Sequence, residues 1–331
     1  MSKLVITNGD SAAALLVEAG LAGDALLPWR DALHEGPVID DGDLAALSRQ
    51  RATFLAAAFS TGQDQQTVED QFAERDALFL RHNAFEEVEL WFEHDLYDQL
   101  QLLQILTLLD RAGRYRGVRL IQASDHLGHE TPKTVCRIER LAFTLPRKAF
   151  AFANQVWTAF SAGTPEDLVQ AIANGNDTLV YVRPAILRLL AELPDTVAGL
   201  SQTERMILER LHVLGPLRAG PLFKAYSETE PAAFHGDLSF FAQLDRLKNG
   251  EFPLVAGPVG RYQEIEWTAG DRLSGPYLET PFALTDAGLA VVTGRKSDHA
   301  PSIQPYWIGN TQITDETPWR WDRARKTLTF R

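Results

Sequence analysis

Residues 4–29 read LVITNGDSAAALLVEAGLAGDALLPW, and this stretch decides the fold of the first part of the chain. The apolar run at residues 4–7 predicts a short buried strand, and the Ala-rich stretch after it predicts a helix that ends at Gly20. A second apolar run at residues 25–29 predicts another strand. Together the three segments predict a strand–helix–strand unit.

The alternation of strands and helices continues as far as residue 122. This order is typical of an α/β fold, and we expect a Rossmann-like, doubly wound parallel sheet over residues 1–145. No G-x-G-x-x-G follows the first strand, so a nicotinamide dinucleotide site is not expected. The further predicted strands are residues 88–92 and 117–122, and the further predicted helices are residues 44–59, 68–81 and 96–109.

A different organisation follows the predicted sheet. Residues 146–199 contain three helical patterns and are predicted to form a helical connector. Residues 200–331 predict a winged-helix-like α+β module, because three helices, the first opened by a Ser-x-x-Glu capping box at residues 201–204, precede a small β element. This module resembles the winged-helix domains of bacterial regulators. Residues 237–248 would then form its recognition helix, and their mixed charges favour a protein partner over DNA.

The net charge of the chain is −12, and the acidic residues are concentrated in its first third. Residues 1–110 contain 6 basic and 20 acidic side chains, whereas residues 111–150 contain 9 basic and 3 acidic ones. A negative field over the first third repels a phosphate backbone, which argues against nucleic-acid binding by that part. The basic segment could bind phosphate or an acidic partner, and the interpretation that we favour is charge balance against its acidic neighbour.

The last residues interleave tryptophans with basic side chains, a pattern that can bind nucleic acid. The interpretation that we favour is a terminal strand that packs its tryptophans on the winged-helix-like module. The residues concerned are Trp319, Arg320, Trp321, Arg323, Arg325, Lys326 and Arg331.

Cysteine usage and hydropathy exclude further classes. Cys136 is the only cysteine, which excludes a disulfide framework and a cysteine-based zinc site. No apolar run approaches the roughly 20 residues that a membrane span needs, and the first residues lack the pattern of a signal peptide. We therefore expect a cytoplasmic protein without membrane contact.

Polar residues directly follow each of the four predicted strands. Because the carboxyl ends of parallel strands meet at one edge of an open sheet, and ligands bind there, we expect these residues to converge in space. They are Gly9, Asp10 and Ser11 after the first strand, Arg30, Asp31, His34 and Glu35 after the second, Glu93, His94 and Asp95 after the third, and Asp125 and His126 after the fourth.

The chemistry of these residues suggests three roles. Histidine beside aspartate or glutamate suits divalent-metal ligation or acid–base catalysis, because imidazole titrates near neutrality and a carboxylate can orient it. Free N–H groups at a helix start favour an anion such as phosphate, with Arg30 neutralising Asp10. The expected anion-binding residues are Gly9, Ser11 and Arg30; the expected metal ligands are His34, His94, Asp95, Asp125 and His126; and the expected catalytic residues are Asp10, Asp31, His34, Glu35, Glu93, His94, Asp95 and Asp125.

An alternative is that the aspartates at the strand ends are structural. Aspartate after a strand often caps the next helix or turn. On this interpretation Asp10 or Ser11 caps the first helix, and Asp31, Asp95 and Asp125 cap later helices and turns.

Three motifs carry a resemblance to a known family. They are residues 6–11 (ITNGDS), residues 29–37 (WRDALHEGP) and residues 90–99 (LWFEHDLYDQ). With these motifs the sequence resembles the bacterial family catalogued as domain of unknown function 1835, over roughly its first 125 residues. The resemblance implies that the motifs belong to one domain. No activity is established for that family, so it implies no catalytic residues.

Two functions are compatible with the sequence. The first is a small-molecule or nucleotide-phosphate site at the carboxyl edge of the sheet, working as a metal-assisted hydrolase with a divalent metal as its cofactor. The alternative is a non-enzymatic, ligand-sensing regulator whose winged-helix-like module contacts DNA or a protein partner.

Overall fold

The computed structural model describes residues 2–59, 64–268, 272–295 and 304–331. The chain divides into two compact units. The first unit comprises residues 1–53, 66–187 and 309–311, and the second comprises residues 54–65, 188–308 and 312–331. The domain boundaries expected at residues 145 and 199 stay a prediction. Within the described residues, no helix combines the length and the apolar character that crossing a membrane requires.

The first unit is built on a five-stranded, mostly parallel sheet. Strands β1 to β4 are parallel, as predicted, but β5 pairs antiparallel with β4. The chain returns from the carboxyl end of β4 without crossing to the other end of the sheet, so β5 starts at that edge and runs back. The strands, in the spatial order β2-β1-β3-β4-β5, are β1 (Lys3–Thr7), β2 (Ala25–Pro28), β3 (Glu87–Phe92), β4 (Val118–Gln122) and β5 (Phe143–Thr144).

The strand order reverses between β1 and β3. From β1 the chain moves to one side to form β2, and then crosses to the other side to form β3. Ile6 of β1 lies opposite Leu27 of β2 on one side and Leu90 of β3 on the other. In open α/β sheets ligands bind outside the carboxyl ends of the strands at such a reversal. The residues that follow β1 and β3 therefore occupy the favoured position for a site.

Helices cover the apolar strands. Leu103 and Leu106 of α4 are fully buried, as the apolar residues around much of this helix predict. Helix α1 packs on the face of β1 that carries Val5. The helices in the first part of the chain are α1 (Asp10–Glu18), α2 (Leu44–Ala58), α3 (Gln65–Phe79), α4 (Leu96–Arg111), α5 (Pro132–Ile138), α6 (Arg147–Phe160), α7 (Glu166–Ala171) and α8 (Val182–Leu190), with short 3-10 turns at His82–Ala84, Leu127–His129 and Glu139–Leu141.

The second unit combines helices with small antiparallel sheets. The capping box is confirmed: the Ser201 hydroxyl accepts from Glu204 N at 3.1 Å, and Ser201 N donates to Glu204 Oε2 at 2.9 Å. Helices α9 (Gln202–Leu214), α10 (Ala219–Ser227) and α11 (Asp237–Lys248) share one apolar core with Phe282. The later elements are α9 (Gln202–Leu214), α10 (Ala219–Ser227), α11 (Asp237–Lys248), β6 (Val255–Ala256), a 3-10 turn (Tyr262–Glu264), β7 (Glu266–Thr268), β8 (Arg272–Ser274), α12 (Pro276–Glu279), β9 (Ala283–Leu284), α13 (Asp286–Val292), β10 (Tyr306–Ile308), β11 (Thr311–Ile313), β12 (Trp319–Asp322) and β13 (Thr327–Phe330).

Candidate metal centre

Side chains from the ends of β1, β3 and β4 meet at the carboxyl edge of the sheet. Asn8, directly after β1, donates from Nδ2 to Glu93 Oε1 at 3.2 Å and to Asp98 Oδ2 at 2.8 Å. Glu93 directly follows β3, and His126 lies in the loop after β4. The convergence expected from the parallel topology therefore occurs for these three strands.

Glu93 is the best-connected member of the group and is 5% exposed. Its Oε2 lies 2.8 Å from His126 Nδ1, and its Oε1 accepts from Leu127 N at 2.9 Å. The backbone of Glu93 is also fixed, because its N donates to Asp98 Oδ1 at 2.6 Å and its O accepts from Gln99 Nε2 at 2.6 Å. The carboxylate is thus held between the loops after β3 and β4.

Asp95 caps a helix with one carboxylate oxygen and faces His126 with the other. It is the N-cap residue of α4, and its Oδ1 accepts from Asp98 N at 3.2 Å. Its Oδ2 lies 3.4 Å from His126 Nδ1, although the side chain is only 3% exposed. The capping role proposed as the alternative is confirmed for this aspartate, and its second oxygen still faces the imidazole.

Glu93, Asp95 and His126 together have the geometry of a cation site. Each offers one ligand atom, and the three atoms all lie within 4.8 Å of one another. Two carboxylates and an imidazole form a donor set that first-row divalent ions such as Mn²⁺ accept. Of the five expected metal ligands, the structure brings Asp95 and His126 into this group, and it adds Glu93.

The charges in the group favour a bound cation. Burial, and next the charge of Glu93, raise the pKa of Asp95 to about 7. Burial and the charges of Asp95 and Glu93 raise the pKa of Asp98 well above its usual value. The hydrogen bond to Glu93 raises the pKa of His126. The buried carboxylates of Glu93, Asp95 and Asp98 repel one another, and a cation bound to Glu93 and Asp95 would reduce that repulsion.

His94 lies beside the group without sharing its ligand atoms. Its ring centroid is 5.4 Å from that of His126 and 5.9 Å from that of Tyr181. The segment before Tyr181 is tied to the sheet, because Gln122 at the end of β4 donates from Nε2 to Thr178 O at 2.8 Å. The sequence analysis did not identify Tyr181, because no local motif contains it and its contact with His94 is long-range.

Asp31 is paired with an arginine instead of joining the group. Arg51 donates from Nε and Nη2 to Asp31 Oδ1 at 3.0 and 2.9 Å, and both side chains are fully buried. Arg51 also donates to the backbone oxygens of Glu35 and Pro37 at 2.7 and 3.0 Å. This arginine was not predicted as important. The sequence offers one signal for it: Arg51 lies four residues after Leu47, so a charged side chain is on the buried face of the helix and needs a partner.

His34 lies near the first turn of α4. Its ring centroid is 5.9 Å from that of Tyr97. The Tyr97 hydroxyl donates to Asn8 O at 3.4 Å, and burial raises its pKa above the usual value. His34 is therefore a neighbour of Tyr97, which in turn contacts the residue that binds Glu93.

Asp10 and Arg30 form a surface ion pair, with Arg30 Nη2 at 2.6 Å from Asp10 Oδ1. The prediction that Asp10 or Ser11 caps α1 is wrong. The N-cap is Gly9, which makes no side-chain hydrogen bond. The helix begins at Asp10, so Asp10 and Ser11 both lie inside it. A Cβ at Gly9 would meet no atom within 4 Å, so the start of α1 is open. The expected neutralisation of Asp10 by Arg30 is present.

Asp125 and His129 form a second pair on the rim of the site. Asp125 Oδ1 lies 3.2 Å from His129 Nδ1, and the two side chains are 63% and 69% exposed. Asp125 Oδ1 also accepts from His126 N at 2.7 Å, and this bond lowers the pKa of Asp125. Asp125 therefore shapes the turn that carries His126 and remains in solvent.

No protein-family model matches the chain, and none of the curated proteins matches it. The resemblance to family 1835 stays a prediction.

Proposed function

We propose that Glu93, Asp95 and His126 bind a divalent cation, and that the protein uses it to hydrolyse a phosphate-bearing small molecule or a nucleotide. The observation that carries this proposal is the convergence of three ligand atoms within 4.8 Å. Glu93 and Asp95 follow β3, beside the reversal of the strand order where α/β sheets bind ligands, and this position supports the proposal. We also propose that the first unit has a Rossmann-like fold and that it belongs to family 1835.

The ligand set suits catalysis better than a purely structural role. Three protein ligands leave coordination positions for water and substrate, whereas structural sites are usually closed by the protein. A bound divalent ion lowers the pKa of its water and so supplies a nucleophile near neutral pH. Asn8 and Leu127 N hold Glu93 in place, which orients one ligand before the ion arrives.

The start of α1 offers a place for the phosphate. Gly9 leaves the first N–H groups of the helix without a side-chain cap, and such groups favour anions. Asn8, the preceding residue, contacts Glu93, so a phosphate here would lie next to the ion. Arg30 pairs with Asp10 at the same helix start, and this pairing neutralises the carboxylate that would otherwise repel an anion.

The proposed reaction is hydrolysis by a water molecule, and a cation held by Glu93, Asp95 and His126 would supply the Lewis acidity for it. The water oxygen bonds to the phosphorus as the bond to the leaving oxygen breaks, and the leaving oxygen takes up a proton. His94, next to His126 and outside the ligand set, is placed to carry that proton. The overall change is addition of one water across the cleaved bond.

Phosphate release from nucleotides and sugar phosphates, and p-nitrophenol release from bis(p-nitrophenyl) phosphate, test this function. We expect hydrolysis with Mn²⁺ that is abolished by EDTA and reduced at least about 100-fold in Asp95→Asn. Asp125→Asn is the matched control, because Asp125 lies in the same region but is exposed. Equal activity of Asp95→Asn and Asp125→Asn would contradict the assignment.

A second candidate is a ligand-sensing regulator with a winged-helix-like second unit. The order of α9, α10 and α11 before the β6–β9 pair, around one core, favours it. The charged side chains of α11 are used internally: Asp245 Oδ2 accepts from Tyr262 N at 3.0 Å, and Lys248 Nζ donates to Pro258 O at 3.0 Å. Such a helix favours a protein partner over base readout. Cation binding without turnover of any phosphate compound would support this candidate.

A further inference from the structure

Residues 132–142, in the first unit, form a helical segment with one apolar face and one basic face. The segment comprises α5 and the 3-10 turn Glu139–Leu141 that directly follows it. Residues three and four positions apart lie on one side of a helix, and the exposed and the buried side chains separate on this spacing. The inner face, which packs against Val5 of β1, carries Val135, Ile138 and Ala142. The exposed cations are Lys133, Arg137 and Arg140, and we call these three residues the basic stripe.

The basic stripe is not neutralised by ion pairs within its own chain. Over the described residues, none of its three cations forms an ion pair with a carboxylate. Residues 131–148 contain five basic side chains and one acidic side chain, Glu139. Leu141, the last residue of the 3-10 turn, is 66% exposed, so an apolar side chain follows directly on these cations. The surface therefore presents positive charge and an apolar contact to a second molecule.

Helix α3, also in the first unit, has a surface of the opposite charge. Asp70 and Glu74 are exposed and lie four residues apart, which places them on one side of the helix. We call these two residues the acidic stripe. Leu80, directly after the helix, is 67% exposed, so an apolar side chain accompanies this stripe as well. The inner face of α3 carries the buried side chains of Val68, Phe72 and Phe79.

The acidic stripe is also without ion pairs in its own chain. Across the described part of the sequence, Asp70 and Glu74 form no ion pair, although Asp70 accepts a hydrogen bond from Gln66 Nε2 at 2.9 Å. Residues 66–80 contain four acidic side chains and one basic side chain. That basic residue, Arg75, is buried and donates from Nη2 to Asp76 Oδ1 at 2.7 Å. The exposed side of α3 is therefore acidic.

We propose that the basic stripe of one copy of this chain binds the acidic stripe of a second copy. The lysine and arginine head groups meet the two carboxylates, and Leu141 packs near Leu80. Charge complementarity identifies this occupant, because the first 110 residues contain 20 acidic and 6 basic side chains. The same excess of acidic residues repels a phosphate backbone and disfavours nucleic acid. The two stripes are different surfaces, so one copy can present each of them to a different neighbour.

The association depends on salt and is reversible. Exposed ion pairs are individually weak, so we expect copies in rapid exchange instead of a permanent oligomer. At about 0.1 M ionic strength, charges more than about 10 Å apart are largely screened, which reduces the repulsion that follows from the net charge of −12. Charges in direct contact still attract each other under this condition. At about 1 M the screening length falls to about 3 Å, and the attraction between the stripes is lost.

Sedimentation velocity of the full chain over a range of concentrations tests the proposal. The buffer contains EDTA, so the outcome does not depend on the cation site. We expect the weight-average sedimentation coefficient to rise with concentration at about 0.1 M salt and to keep the monomer value at about 1 M. Lys133→Glu with Arg137→Glu should be monomeric, and so should Asp70→Lys with Glu74→Lys. An equimolar mixture of these two variants should associate again, because one has two acidic stripes and the other has two basic stripes.

Arg49→Glu with Arg116→Glu is the matched control, because it changes the net charge as much as Lys133→Glu with Arg137→Glu does, at exposed positions outside both stripes. It should associate as the wild type does, and circular dichroism should confirm that each variant is folded. A monomeric wild type at about 0.1 M salt, a monomeric mixture, or an equal loss in the control would overturn the proposal. A monomeric wild type that binds polyglutamate or duplex DNA through Lys133 and Arg137 would assign the basic stripe to that partner instead.

Discussion

Glu93 and His126, 33 residues apart in the chain, are joined by a 2.8 Å contact between Oε2 and Nδ1. This contact links the loop after β3 to the loop after β4 and is the largest cause of the raised pKa of His126. The same two atoms would bind one cation. A proton on His126 and a bound cation therefore compete for the same two atoms, Glu93 Oε2 and His126 Nδ1.

Glu93→Gln should lower the pKa of His126 in metal-free protein, because the neutral amide no longer stabilises the imidazolium. A pH titration of the His126 resonances by NMR measures this value. Asp125→Asn should lower the pKa less, since Asp125 is the weakest of the charges that raise it. A larger decrease in Asp125→Asn than in Glu93→Gln would show that Asp125, and not Glu93, has the main effect on the pKa of His126.

Asp95→Asn should change the pH dependence of stability in metal-free protein. The folded state holds the Asp95 proton up to about pH 7, whereas the unfolded chain releases it near 3.8. Between these values the folded state binds more protons, so this group makes the free energy of unfolding fall as pH rises. The slope is at most about 1.4 kcal/mol per pH unit.

Urea denaturation at about pH 5 and pH 7.5 measures the effect as a difference between variants. We expect Asp95→Asn to gain stability relative to the wild type on going to the higher pH. A difference that is constant with pH would show that Asp95 ionises normally.

Arg51→Met should destabilise the first unit by about 3–5 kcal/mol, because it leaves the buried Asp31 carboxylate without its cation. The double variant Arg51→Met with Asp31→Leu should recover much of this loss, since no buried charge remains. Thermal and urea denaturation compare the three proteins. No recovery in the double variant would show that the bonds of Arg51 to the backbone of Glu35 and Pro37 matter more than the pair.

His235 in the second unit should act on stability with the opposite sign to Asp95. Burial, and next the charges of Arg188 and Arg246, hold its pKa well below 6.5. The unfolded chain takes up a proton below that value and the folded state does not, so stability falls as pH decreases from about 6.5. His235→Gln should reduce this fall, measured by denaturation between about pH 4.5 and 6.5. An unchanged profile would show that the folded protein protonates His235.

The periodicity of the sequence predicted the elements that position the site. Residues 4–7 and 88–92 alternate with helical segments, and a parallel sheet forces their carboxyl ends to one edge. The convergence of Glu93 with His126 follows from that topology. The pairing of Asp31 with Arg51 could not be predicted, because it depends on how a distant helix packs.

The local sequence pattern also could not predict the structure where two conformations were equally compatible with the residues. Asp10 could cap α1 or lie in its first turn, and the backbone at Gly9 decided for the first turn. The antiparallel strand β5 (Phe143–Thr144) has only 2 residues, which is too short to show the alternation of apolar and polar side chains that predicts a strand. Asp98 is identified as a member of the buried group only when its bond to Asn8 is seen.

Binding of Mn²⁺, followed by electron paramagnetic resonance of the free ion, tests the cation site most directly. The account predicts about one ion per chain, loss of binding in Asp95→Asn and His126→Ala, and retention in Asp125→Asn. Binding that survives in both Asp95→Asn and His126→Ala, or no binding by the wild type, would contradict it.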